Sequence, residues 1–352
     1  MRNETAIKIP EKLSETNNRN YSSSPLLSFS ASPKVSVIIP AYKIADYIGE
    51  ALHSVFAQTF TNFEIVVVND GSPDTVEFER AIEPFLDRIV YIKQENCGAA
   101  AARNAAIRAA SGEILAFLDG DDLWLPEFLQ SQIEYLEKND FDLVYADAEF
   151  FGEDVPAGNT YMQFSKSNGA VTTESLISWD CNVITSGTIA RREVVVAAGL
   201  FDESPIFRRG QDFEMWFRLA KRGAKLGYQQ RVLLKYRVRS GSLTGNHVQQ
   251  AERNVTALEG IKAKFEFTES EKTAWERQMK IASAMFNVEK GKSQIINGDF
   301  AAARQSFAAA NRFYRKPKLF FVGLMLKFAP NLLRRFFAGR AEHLARNQAN
   351  VF

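Results

Sequence analysis

The sequence is poor in the residues that build disulfide frameworks and histidine-rich metal cages. Its 352 residues include 2 cysteines and 3 histidines. Cys97 and Cys181 exclude a disulfide-rich scaffold and a cysteine-rich zinc site, and they predict a reducing, cytosolic compartment. No run reaches the roughly 18 apolar residues a membrane-spanning helix needs. The opening MRNETAIKIPEKLSETNNRN lacks the apolar centre of a secretory signal. An excess of one charge is missing too. Lys and Arg number 43 and Asp and Glu 42, a formal +1 that argues against a globally basic nucleic-acid binder. No G-x-G-x-x-G follows the first strand and no Gly-Lys-Ser/Thr closes a phosphate loop, which disfavours a dinucleotide fold and a Walker site.

What is present is ordinary globular material, 46% hydrophobic and 24% charged, with 28 Phe. Residues 1–33 carry seven Ser and no apolar period, and predict a flexible tail. From Lys34 strand and helix patterns alternate. Val35–Ile39, Phe63–Val68, Ile89–Ile92, Glu113–Leu118 and Asp142–Ala146 are apolar, β-branched runs. Between them lie helical patterns over Tyr47–Phe56, a stretch ending near Leu86, Gly98–Ala110 and Pro126–Leu136. The alternation predicts an α/β fold with a mostly parallel central sheet. Pro40–Tyr42, Asn69–Ser72 and Asp119–Asp122 all fall at strand carboxyl ends, the rim where such sheets bind ligands. Periodicity weakens over Phe150–Asn182, which predicts an irregular excursion near the site. Ser186–Ala190 and Val232–Val238 then read as strands, and Arg191–Ala198 and Gln211–Arg222 as helices. From about Gln249 the pattern is all helical. The expected division is a tail over 1–33, a catalytic domain over 34–245 and a helical region over 246–352.

Asp119-Gly120-Asp121-Asp122 puts three carboxylates within four residues, and burying them unpaired is costly. A divalent cation such as Mg2+ or Mn2+ relieves both the burial and the repulsion, and its open positions accept phosphate oxygens. A hydrated acidic turn is the alternative. Asp70 suits either ligand N–H groups or an Asx turn with Gly71 and Pro73. Gly98 opens a small-residue helix whose second turn carries Arg103, either to reach a phosphate or simply to face water. Asp212 lies in the first turn of its helix, where the dipole favours a carboxylate and where a general base could stand.

Five stretches in this order and spacing, VSVIIPAYK (35–43), VVVNDGSPD (66–74), NCGAAAARNAAI (96–107), ILAFLDGDDLWLP (114–126) and GLFDESPIFRRGQDFEMWFRLA (199–220), resemble family 2 glycosyltransferases. These are inverting enzymes of the GT-A fold, and the likeness covers roughly residues 34–245. The resemblance implies a nucleotide-base pocket at Pro40, Ala41, Tyr42 and Asp70, usually for uracil. It makes Asp121 the direct metal ligand, with Asp119 facing the ribose or assisting the metal and Asp122 in support. Asp212 stands where the family has its catalytic base, Gln211 where Glu or Gln usually precedes it, and Trp216 where an aromatic residue underlies the acceptor site. Many relatives carry Tyr-Arg-x-His after the last catalytic strand. Here Tyr236-Arg237-Val238-Arg239 puts an arginine at that place, so no metal ligand transfers to it and Arg239 is expected to clamp a phosphate.

The expected activity is metal-dependent transfer of a sugar from a nucleotide donor, UDP-linked by family habit, to a glycan or lipid-linked glycan. A nucleotidyltransferase and a non-catalytic sugar-nucleotide-binding protein are the alternatives. The first usually needs a Gly-rich basic loop, which Ile39–Lys43 is not. Ile281–Phe313 reads as a helical hairpin turning at Asn297–Asp299. Residues 312–340 hold eight Lys or Arg, six Phe and no acid, so the rest of the chain stands at −7 and the overall +1 is a cancellation. That stretch predicts association with an anionic membrane surface, and hence a peripheral position at the inner face of the plasma membrane. A helical appendage packed on the catalytic domain is the alternative.

Overall fold

The computed structural model describes residues 32–152, 155, 158–208, 210–239 and 247–349, with side chains as far as Gly339. Nearly all of the expected tail, and the expected division near residue 245, lie outside these residues.

The apolar runs become strands in the order expected. β1 (Val35–Ala41) is followed by α1 (Ala45–Phe56), β2 (Phe63–Asp70), α2 (Thr75–Ile82), β3 (Val90–Gln94), α3 (Ala99–Ala109) and β4 (Ile114–Phe117). β1 pairs in parallel with both β2 and β4, and β2 with β3. Val35, Val37, Ile38 and Ile39 are buried, as are Ile65 to Val68 and Ile114 to Leu118, because helices cover both faces of these strands. The alanines of α3 have a packing reason. Its residues 100–107 are all buried, and small side chains let the helix lie close to the sheet.

The second half of the sheet is more irregular. β5 (Leu123–Trp124), α4 (Phe128–Lys138) and β6 (Leu143–Gly152) precede two short helices, α5 (Tyr161–Phe164) and α6 (Thr173–Ile177). Then come β7 (Thr188–Arg191), α7 (Arg192–Ala197), α8 (Gln211–Lys221) and β8 (Leu226–Val238). The eight strands stand in the order β3-β2-β1-β4-β7-β6-β8-β5. β7 runs antiparallel between β4 and β6, and β5 is an antiparallel edge on β8. The fold is thus α/β with a mostly parallel central sheet. Three details differ from expectation. β6 continues to Gly152 and β8 begins at Leu226, because an irregularity between Ala146 and Ala148 shifts their register and breaks the alternation of the sequence pattern. β5 is only two residues long, too short to leave a pattern.

Helices follow: α9 (His247–Lys264), α10 (Glu269–Asn297), α11 (Phe300–Tyr314), α12 (Pro317–Phe328) and α13 (Pro330–Ala349). The α10–α11 hairpin turns where the sequence predicts. Gly298 takes a left-handed φ of 84° and Asp299 caps α11 through the Ala302 amide. A second core, with Phe207, Phe217, Leu258, Ile261 and Ala282, joins α8 to α9 and α10. Ion pairs reinforce the seam: Lys264 meets Asp202 (2.5 Å) and Glu214 (2.8 Å), and Lys221 meets Glu271 (2.5 Å).

Candidate active site

β4 delivers the acidic loop to the rim. Past Phe117 the chain enters Asp119–Asp122, and exposure falls along it. The Asp119 side chain is 36% exposed and that of Asp121 21%, whereas Asp122 is 2% exposed. Gly120 fits because a Cβ there would collide with Ile44 Cδ1. The β5–β8 pairing brings the end of β8 across this loop. Arg237 donates its backbone N–H to Asp122 Oδ1 (2.8 Å) and its Nε to the Asp121 carbonyl (2.7 Å). Its guanidinium also lies over Phe151 (4.3 Å) and Tyr47 (4.8 Å).

The carboxylates interact electrically. Burial raises the Asp121 carboxyl above its ordinary value and the Asp119 charge adds to this, while Arg239 opposes it. Asp122 goes well above its usual value, first through burial and then through Asp121 and Asp119; Ser186 and the Arg237 amide offset part of this. Burial also pushes the Tyr236 hydroxyl far up, with the negative charge of Asp122 next.

Helix α8 brings up the second carboxylate. Asp212 follows Gly210 in the first turn, is half-buried, and accepts from the Phe213 N–H (2.8 Å) and from Thr185 Oγ1 (3.1 Å). The adjacent residue, Ser186, accepts the Asp119 N–H on its hydroxyl (3.1 Å). Two consecutive side chains of the 185–187 turn thus tie Asp212 and the acidic loop together. Arg103 makes a second tie. It is 4% exposed, and its Nη2 meets Asp119 Oδ1 at 2.6 Å. With its amide oriented to satisfy its neighbours, Gln211 accepts from Arg103 Nη1 (3.0 Å) and donates to the carbonyls of Phe207 (3.2 Å) and Arg208 (3.0 Å).

The residues singled out from sequence fall into distinct groups. Asp119, Asp121, Asp122, Asp212, Gln211, Arg103 and Arg239 come together at one rim. Arg103, read from sequence as reaching a phosphate or facing water, does not face water: it is buried, with its guanidinium on Asp119 and Gln211. Arg239, expected to clamp a phosphate, meets Asp121 Oδ2 through Nε (2.9 Å). Pro40 and Ala41 end β1 next to this loop and Tyr42 follows directly, 44% exposed where Ala41 is buried. Asp70 is 3% exposed, and the donors it satisfies are the chain's own: Gln94 Nε2 (2.7 Å), Cys97 N–H (2.9 Å) and Gly98 N–H (2.8 Å). Trp216 is 2% exposed, with its ring edge-on to Phe117 and Phe201; its Nε1 has no hydrogen-bond partner among the described residues. Sequence reasoning missed Thr185 and Ser186. Both lie in a turn with no motif, so no pattern pointed to them.

Among the described residues no three His, Cys, Asp or Glu side chains gather into a closed metal cage. The donor set suits a different kind of site. Asp121 and Asp119 offer carboxylate oxygens whose mutual repulsion a divalent cation would relieve, the remaining positions falling to phosphate oxygens and water.

The family model described as Glycosyl transferase family 2 matches residues 36–196. An uncharacterised glycosyltransferase of Rickettsia conorii is 33% identical over 212 residues, 58% of this chain and 34% of that protein; the chain thus spans about a third of this relative's length. WfaP of Escherichia coli, a UDP-Glc:alpha-D-GlcNAc-diphosphoundecaprenol beta-1,3-glucosyltransferase, is 31% identical over 233 residues, 65% of this chain and 88% of WfaP. The structure of the mannosyltransferase PcManGT from Pyrobaculum calidifontis, in complex with GDP-Man and Mn2+, aligns with a TM-score of 0.59 at 18% identity, covering 94% of this chain and 90% of that one. The two share a fold.

Proposed function

Because the chain belongs to glycosyltransferase family 2, we propose that it transfers a sugar from a nucleoside-diphosphate donor, UDP-linked by preference, to a hydroxyl of a glycan or lipid-linked glycan. One observation carries the reading: Thr185 and Ser186, adjacent in sequence, bond to Asp212 and to the Asp119–Asp122 loop respectively. The Asp212 carboxylate and the acidic loop are thereby held on one rim, which supports reading the first as the base and the second as the side that meets the diphosphate. WfaP, by its name, acts with UDP-Glc on a diphosphoundecaprenol-linked sugar, which supports the choice of donor and acceptor class.

In this reading Asp121, with Asp119, holds a divalent cation, Mn2+ or Mg2+. When bound, such a cation neutralises charge on the departing nucleoside diphosphate. Pro40, Ala41, Tyr42 and Asp70 border the nucleotide base. Asp212 accepts the proton of the acceptor hydroxyl as its oxygen bonds to the anomeric carbon. The bond from that carbon to the diphosphate oxygen breaks on the opposite face, so the centre inverts. The Thr185 hydroxyl on Oδ2 and the Phe213 N–H on Oδ1 fix the Asp212 carboxylate, and each oxygen keeps a second lone pair with which to accept the acceptor's proton. Trp216 supports the floor from within the core.

The catalytic unit is read as 34–245. The protein is read as peripheral at the inner face of the plasma membrane, docked through 312–340; no helix among the described residues is long and apolar enough to cross a membrane. Calorimetry with UDP-, GDP- and dTDP-sugars, with and without manganese, tests the donor site. Metal-dependent binding of a UDP-sugar is expected. Nucleotide binding indifferent to metal would remove the carboxylate assignment.

A further inference from the structure

Helix α12, apart from Lys318 and Lys327, carries apolar residues around its whole circumference. Leu319, Val322, Met325 and Leu326 pack into a third core with Ile295, Ala303 and Phe307. Phe320, Phe321, Leu324 and Phe328 are 63, 60, 42 and 70% exposed. At 3.6 residues per turn these four occupy one side of the helix, over an arc of about 100°. A helix hydrophobic all round belongs in a fully apolar setting, and this one has only half of it. α13 repeats the division. Leu333 and Phe337 turn into the core, whereas Leu332 and Phe336 stand out at 61 and 60% exposure. Between α11 and α12 lies an open groove of about 530 Å3. Phe307, Leu319 and Leu324 give it an apolar wall, and Arg304, Arg312 and Lys327 line it with positive charge. Among the described residues none of these three cations has an ion-pair partner.

The charge pattern selects the occupant. Eight basic and no acidic residues over 312–340 would set like charges against one another if two copies met through this face. The chain's own residues 1–31, with four basic and three acidic side chains, offer no complement. A ligand that matches both the cations and the apolar wall carries phosphate and hydrocarbon together. We propose that the α11–α12 groove seats an anionic phospholipid. Arg304, Arg312 and Lys327 meet its phosphate, its chain lies along Phe307, Leu319 and Leu324, and Phe321, Phe328, Leu332 and Phe336 enter the same leaflet. The inference deepens the membrane reading above by naming the face, the groove and the lipid chemistry; it does not depend on the sugar or the acceptor.

The test is flotation of the intact chain with phosphatidylcholine vesicles and with the same vesicles containing phosphatidylglycerol. Binding is expected only with phosphatidylglycerol and declines as salt rises. Neutralising Arg312 and Lys327 together (Arg312→Gln, Lys327→Gln) weakens it about twenty-five-fold, at about fivefold per residue. Phe321→Ser with Phe328→Ser, both at exposed positions, reduces it at least about tenfold. Metal-dependent donor binding, measured by calorimetry on the same variants, stays unchanged. Three results would overturn the proposal: no flotation with anionic vesicles at low salt, flotation that neither pair of substitutions alters, or lipid-free self-association that both pairs abolish. Failure of donor binding with flotation intact would sink only the proposed transferase activity.

Discussion

Replacing Arg103 by alanine tests whether the acidic loop and the base helix act as one unit. Arg103 has a side chain only 5% exposed and joins Asp119 at 2.6 Å to the Gln211 amide at 3.0 Å. Removing one partner of a fully buried pair costs about 3–5 kcal/mol, whereas an exposed pair is worth about 0–1 kcal/mol. The Asp119 side chain is 36% exposed, so water can take over its freed carboxylate. The expected loss of stability is therefore intermediate, about 2 kcal/mol, or several degrees in melting temperature. The effect on rate is separate and larger. Gln211 immediately precedes Asp212, so the substitution removes an anchor shared by Asp212, the proposed base, and the Asp119–Asp122 loop, the proposed metal site, and a shift of about 1 Å in such a group costs about a hundredfold. Initial transfer rates at saturating donor, compared with the folded fraction from a thermal melt, separate the two effects. Arg103→Lys keeps the charge but not the two-pronged geometry and should recover only part of the rate. A folded Arg103→Ala protein with wild-type turnover would refute the coupling.

Other outcomes follow from the same geometry. Gly71 has φ +60° and a Cβ there would lie 2.6 Å from the Asn96 amide nitrogen, so Gly71→Ala should push the 94–98 loop off Asp70 and cost about 2 kcal/mol, read as a lower denaturant midpoint at unchanged slope. Burial alone would raise Asp202, but Lys264 and Ser204 outweigh it and bring the carboxyl down to about 2. A group depressed on folding stabilises the protein above its unfolded value and loses that contribution as pH falls through the folded one, here between about pH 4 and 2. The seam to α9 should therefore loosen over that window, by about 1–2 kcal/mol after allowing for the partly exposed Lys264, and Lys264→Met should flatten the acid limb of the stability curve. Asp121→Asn should abolish the manganese-dependent gain in donor affinity in calorimetry; a gain equal to wild type would take Asp121 out of the metal site.

The first half of the sheet was legible because nothing interrupts it. Val35–Ala41, Phe63–Asp70 and Ile114–Phe117 are buried on both faces, so apart from Ser36 and Glu64 they are apolar up to their carboxyl ends, which are marked by Pro40, by Asn69-Asp70-Gly71 and by Asp119. The convergence of three polar clusters on one rim followed from parallel strands sharing a direction. β6 and β8 were underestimated because a register shift near Asp147 alters which side chains face inward. The rim residues were legible as types, but not as partners. Arg103 and Asp119 lie 16 positions apart and Asp121 and Arg239 lie 118 apart, and only the fold brings these opposite charges together. Thr185 and Ser186 have no signature at all. Their role arises from the 185–187 turn, which passes between Asp212 and the acidic loop.

The most direct test of the central claim is product analysis with a UDP-sugar, manganese and a diphosphoundecaprenol-linked acceptor, comparing wild type with Asp212→Asn. The account predicts a product of inverted anomeric configuration from the wild type. It predicts donor binding with turnover reduced by about a hundredfold to ten-thousandfold for Asp212→Asn, the contribution expected of a general base. Wild-type turnover by Asp212→Asn, or a product with retained configuration, would contradict it.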